Sequence, residues 1–111
     1  MPSYTEVRDA IRQFNIERDW DQFHTEANLA KSVCIEAGEL LECFQFSDQY
    51  DLQAAKEELA DVVNYCIVLA DRMNIDLMDA LMEKLQKNIE KYPVDLAKGK
   101  STKYDRLLKK E

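Results

Sequence analysis

The stretch Glu58-Leu59-Ala60-Asp61-Val62-Val63-Asn64-Tyr65-Cys66-Ile67-Val68-Leu69 decides the fold class. Leu59, Val62, Cys66, Leu69 and, beyond it, Met73 recur at three- and four-residue intervals, which is the period of a helix face and not the alternation of a strand. No glycine or proline interrupts the run, and Asn74 marks its expected end. Upstream, Ser47-Asp48-Gln49-Tyr50-Asp51 reads as a polar connection. It follows a helix that Thr25 can cap, carrying Leu29, Val33, Leu40 and Phe44 and expected to end near Phe46. Further upstream, Ser3-Tyr4-Thr5-Glu6 has capping-box spacing before Val7, Ala10, Ile11 and Phe14, so a first helix is expected from residue 4 to residue 18. Arg18-Asp19-Trp20-Asp21-Gln22-Phe23-His24 then breaks the period. Downstream, Asp76 can cap a fourth helix carrying Leu77, Leu81, Leu85 and Ile89, closed by Tyr92-Pro93 because the residue before proline avoids helical geometry.

The expectation is an all-α, four-helix-bundle-like fold. With 111 residues and 13.0 kDa the chain supports one domain over 1–111, with a basic C-terminal segment over 94–111. Only 2 glycines and 2 prolines are available to break helices. No apolar run approaches the ~20 residues of a membrane span. The opening Met1-Pro2-Ser3-Tyr4-Thr5-Glu6 lacks the basic and apolar regions of a signal peptide, so a cytoplasmic protein is expected.

The net charge of -7 excludes a nonspecific grip on duplex nucleic acid, which needs basic clusters that release counterions. Charge is uneven, however. Residues 98–111 carry six cationic side chains against two acidic ones, a local +4 that leaves -11 for the rest. Cys34, Cys43 and Cys66 lack CxxC spacing and read as buried thiols. A single histidine, His24, leaves no Cys/His zinc site and no Glu-x-x-His repeat for a di-iron centre.

Two acidic motifs remain, Glu36-Ala37-Gly38-Glu39 and Glu58-Leu59-Ala60-Asp61. Each is an i, i+3 pair, so its two carboxylates share one helical face. At about 100° per residue, Val33, Leu40 and Phe44 fall beside Glu36, and Val62, Cys66 and Leu69 beside Glu58, so both motifs border apolar stripes in the same way. If those stripes pack together, four carboxylates converge and repel unless a cation joins them. An all-oxygen donor set suits Mg²⁺ or Mn²⁺, and protein-bound magnesium usually also holds substrate phosphates. Gly38, otherwise a poor helix residue, removes a side chain between one pair. Glu42 and Glu57 read as surface charges.

The pattern ExxE, a gap, then ExxD resembles the all-α nucleoside triphosphate pyrophosphohydrolases of the MazG-like family. Arg18 to His24, Asn28-Leu29-Ala30, Glu36 to Phe46, Glu57 to Tyr65, Lys91-Tyr92-Pro93 and Lys103-Tyr104 look like the single-domain branch that includes the dCTP pyrophosphatases. The resemblance implies that Glu36, Glu39, Glu58 and Asp61 hold Mg²⁺ and carry catalysis. It also implies that a nucleoside triphosphate is cleaved between its α and β phosphates. A carboxylate not fully committed to metal can accept the proton of the attacking water, and Glu39 is the candidate.

For the substrate, the resemblance tips Trp20, the only tryptophan, towards stacking on the base. Tyr65, one turn after Asp61 on the acid side of its helix, is placed to line the nucleotide pocket or to seal it. On the fourth helix Lys87, Asn88 and Lys91 share a polar stripe and are candidates for phosphate or sugar contact, while Lys84 reads as solvated. Lys103 and Tyr104 are candidates to close over the ligand. Two positions depart from the dCTP-specific relatives. Phe46 stands where those have a tryptophan, and Ile11 where they have a histidine that lines the base pocket. Ile11 can make no hydrogen bond, and such a bond supplies much of the discrimination between polar ligands.

Val63, Ile67 and Ala70 lie away from the Val62/Cys66/Leu69 stripe, so a homodimer or dimer of dimers is expected to bury them. The competing reading, a noncatalytic helical module that binds nucleotide or metal, is disfavoured because none of the four acids is missing.

Overall fold

A computed structural model describes residues 1–100, among which there is no strand. The elements are α1 (Tyr4–Glu17), a single 3-10 turn (Asp21–Phe23), α2 (Glu26–Glu42), α3 (Leu52–Arg72), α4 (Leu77–Lys91) and the one-turn α5 (Val94–Ala97). They form two compact units, one ending at Ile75 and the other starting at Asp76.

The helix starts follow from side chains that satisfy the first free N–H groups. The Ser3 hydroxyl accepts from the Glu6 amide at 3.1 Å, and Glu6 accepts in return from the Ser3 amide. Thr25 accepts from the Asn28 amide at 3.1 Å, and the Asn28 carboxamide donates to the Phe23 carbonyl at 3.0 Å, tying the 3-10 turn to α2. Asp51 and Asp76 cap α3 and α4 in the same way.

Two helices end in left-handed residues, Asp19 at φ 53° and Asn74 at φ 56°. Both ends have the paired 6→1 and 5→2 bonds of a Schellman motif. At α1 these run from Trp20 to the Asn15 carbonyl and from Asp19 to the Ile16 carbonyl, each 3.0 Å. At α3 they run from Ile75 to Ala70 at 2.8 Å and from Asn74 to Asp71 at 3.2 Å. The second helix ends at Glu42 and not near Phe46. Cys43, Phe44 and Gln45 bond back only three residues, so the chain tightens out of the α-helix there.

In the first unit α2 packs along α3, and α1 packs on α3. Leu29 of α2 is fully enclosed, and Ala55, Ile67 and Ala70 of α3 are buried. The stripe expected to form the core of α3 is displaced: Leu59 and Met73 are half exposed, while Ile67 and Ala70, expected to await a partner, are buried within the chain. Apolar residues on several sides of α3 left the packing meridian open, and the small side chains of Ala55 and Ala70 let a neighbour approach. The thiols also differ from expectation: Cys34 is exposed, and Cys43 and Cys66 are half-buried.

Two ion pairs fasten the helices, Arg12 to Asp71 between α1 and α3 and Arg72 to Glu26 between α3 and α2. In the second unit Leu81, Leu85 and Ile89, read as the buried stripe of the fourth helix, are half exposed; among the described residues of that unit the four-residue α5 is the one other helix. No helix among the described residues is long and apolar enough to cross a membrane.

Candidate functional site

The α2 and α3 pairing brings three acids together. One carboxylate oxygen from each of Glu36, Glu58 and Asp61 lies within 4.8 Å of the others. Glu36 and Glu58 are half-buried, whereas Asp61 is exposed. One oxygen of Glu36 and one of Glu58, both Oε2, are sealed from solvent with no hydrogen-bond partner among the described residues. Orphaned buried acceptors of this kind are costly unless a donor or cation meets them.

Their electrostatics agree. Partial burial pushes the Glu36 carboxyl above its ordinary range, and the neighbouring Glu39 carboxyl, which can share that proton, adds to the shift, followed by the charges of Asp61 and Glu58. Glu58 is raised by partial burial, then by Glu39, Asp61 and Glu57. Glu39 is exposed and stands outside the close trio, yet it acts on both half-buried acids. Unpaired acceptors with repelling charges and only oxygen donors fit a hard divalent cation.

A cleft of about 540 Å³ opens beside this cluster. Its walls are Ala10, Ile11, Phe14, Asn15, Trp20 and His24 from α1 and the turn after it, Glu36 from α2, and Asp61, Asn64, Tyr65 and Val68 from α3. Two of the four acids, Trp20, expected at the base, Tyr65, expected at the pocket, and the departing Ile11 therefore share one cavity. Trp20 is held edge-on to Phe14 with ring centroids 5.5 Å apart, and the Arg18 guanidinium caps the other ring at 3.8 Å from the Phe14 centroid. A second cleft of about 340 Å³, lined among others by Arg8, Arg12, Asp71 and Arg72, shares Ile11, Asn15, His24 and Val68 with the first.

Lys87 is exposed and Asn88 and Lys91 are half-buried on α4, in the second unit. Phe46 is 92 % exposed and lines neither cleft. Lys103 and Tyr104 lie outside the described residues. Sequence reasoning passed over Phe14, Asn15 and Asn64. The signal for Asn64 was its place one turn after Asp61, and that for Asn15 its place one turn after Ile11.

Comparison with known proteins identifies the family of the chain. The MazG-like family matches residues 31–107. dCTP pyrophosphatase 1 of Mus musculus is 36% identical over 113 residues, covering 93% of this chain and 66% of its own length. The Homo sapiens protein of that name is 36% identical over 116 residues, covering 96% of this chain and 68% of its own. The chain thus spans about two thirds of the length of the curated relatives it matches. A crystal structure of a pyrophosphatase from Archaeoglobus fulgidus superimposes with a TM-score of 0.73 at 38% identity, over 80% of this chain and 91% of that one. The chain belongs to the MazG-like family.

Proposed function

We propose that this protein is a Mg²⁺-dependent nucleoside triphosphate pyrophosphohydrolase that cleaves between the α and β phosphates, releasing the monophosphate and pyrophosphate. The observation that carries the reading is the convergence of Glu36, Glu58 and Asp61 at the edge of a cleft walled by Trp20 and Tyr65. The names of the relatives, dCTP pyrophosphatase 1 and a pyrophosphatase, support it.

In this reading Glu36, Glu39, Glu58 and Asp61 hold the cation. When bound, Mg²⁺ neutralises phosphate charge and polarises the attacked phosphorus. Glu39, outside the close trio, is the proposed acceptor of the proton of the attacking water. Trp20 stacks the base and Tyr65 lines the nucleotide wall. The roles proposed for Lys87, Asn88, Lys91, Lys103 and Tyr104 in phosphate and sugar contact rest on the family resemblance alone.

The substrate class we infer is a deoxynucleoside triphosphate, dCTP-like or noncanonical, removed from the cytoplasmic pool as sanitation. The half-exposed apolar residues Leu59 and Val63 of α3 support a homodimer or dimer of dimers. The decisive experiment screens natural and modified NTPs and dNTPs with Mg²⁺ and with Mn²⁺, detecting pyrophosphate and orthophosphate separately. Pyrophosphate from a subset is the expected result. Silence across the panel from folded protein would move the assignment to a noncatalytic nucleotide- or metal-binding module.

A further inference from the structure

Asn15 is the one buried polar residue among the described residues, 5 % exposed, and it lines both clefts. Its main-chain carbonyl accepts from the Trp20 amide at 3.0 Å, but no hydrogen bond among the described residues uses its carboxamide. Buried amides are ordinarily paired, so an amide left open to a cavity is a vacancy for a ligand or water to fill.

Its position gives that vacancy a meaning. Asn15 follows Ile11 by one helical turn on the same wall, so the cleft regains at residue 15 the hydrogen-bonding capacity that Ile11 lacks. The backbone bond from Trp20 to Asn15 also ties the main chain of the two residues together. The other carboxamide of the cleft, Asn64, stands on α3 between Asp61 and Val68, on the side of the acids.

We propose that Asn15 is the specificity-determining residue of the cleft, its carboxamide hydrogen-bonding the polar edge of a base stacked against Trp20. This deepens the nucleotide reading above and rests on it. A carboxamide offers an acceptor oxygen and two N–H donors, the complement of a base edge that places a ring nitrogen beside an amino or keto group.

Because Trp20 is the only tryptophan, its fluorescence reports occupancy of the cleft without turnover. The test titrates wild type, Asn15→Leu and Asn15→Asp with the nonhydrolysable α,β-imido analogues of the four dNTPs in Mg²⁺, and measures pyrophosphate release from the dNTPs in parallel. Wild type is expected to rank the four analogues. Asn15→Leu should compress the ratio of strongest to weakest affinity by about tenfold or more. Asn15→Asp, of the same shape and serving as the second variant if Asn15→Leu does not fold, should shift the ranking away from thymine and towards cytosine, adenine and guanine, whose amino groups can donate to a carboxylate. A uniform loss across all four analogues, an unchanged ranking in the variants, or no wild-type ranking or quenching at all would overturn the proposal. Base-selective quenching under the control of residue 15, without pyrophosphate from any dNTP, would uphold it and overturn the hydrolase reading instead.

Discussion

Arg12 on α1 grips Asp71 on α3 with both prongs of its guanidinium, Nη2 at 2.6 Å and Nε at 3.0 Å from the two carboxylate oxygens. This pair spans 59 residues of sequence and joins two of the helices that wall the larger cleft. The bonds from Arg12 hold the Asp71 carboxyl below its usual range, outweighing the opposite effect of partial burial, and they raise Arg12 correspondingly. Since the folded state lowers this carboxyl, its contribution is complete above the ordinary aspartate range and is lost as pH falls through the lowered value. Asp71→Asn should therefore melt a few degrees below wild type at neutral pH, and the difference should close in acid. Melting followed by circular dichroism across pH checks both ends.

The acid cluster predicts an opposition between stability and activity. Glu58→Gln removes a raised, orphan-bearing carboxylate, so in EDTA it should melt above wild type. Wild type should gain stability with Mg²⁺, by about 2.7 kcal/mol at a hundredfold excess over Kd, and the variant should gain far less. Turnover should be lost in Glu58→Gln and Asp61→Asn with helical content intact. Differential scanning calorimetry with and without metal, beside the pyrophosphate assay, reads all of these.

Trp20→Ala should raise KM most for the preferred nucleotide, by about tenfold, since stacking is worth about 1–3 kcal/mol per base. Trp20→Phe should recover most of that. An equal rise for every nucleotide would assign Trp20 to packing against Phe14 alone.

Leu29 is the largest fully enclosed side chain among the described residues. Leu29→Ala should cost about 2–5 kcal/mol, a large share of the 5–15 kcal/mol that holds a typical domain. A denaturant melt should show a lower midpoint with little change in slope.

The helices were legible because local chemistry sets their ends. Ser3, Thr25 and Asp76 cap where their side chains predict, and Asn74 stops α3 because asparagine tolerates a left-handed turn. The tightening after Glu42 was not legible, as Cys43, Phe44 and Gln45 are individually compatible with more helix. Periodicity showed that Glu36, Glu58 and Asp61 border apolar stripes, and the α2 and α3 packing supplied their proximity. It could not choose among the apolar sides of α3, so Ile67 and Ala70 were expected on the wrong face. Asn15 was missed for the converse reason: a polar residue on an amphipathic helix reads as solvent-facing until tertiary packing encloses it.

The Schellman end of α1 has a consequence for inheritance. Trp20 is positioned by main-chain bonds from Trp20 to Asn15 and from Asp19 to Ile16, so its place depends on one left-handed residue more than on the identities of its neighbours. A turn specified by backbone behaves as a cassette. Segments spanning residues 15–20 can be exchanged between relatives as a unit, carrying the aromatic and its companion amide together, provided position 19 keeps an asparagine, aspartate or glycine. If Asn15 and Trp20 read the base as proposed, substrate preference in such a lineage can then change by transplanting the end of α1 and the turn after it, while the acids of α2 and α3 stay as they are.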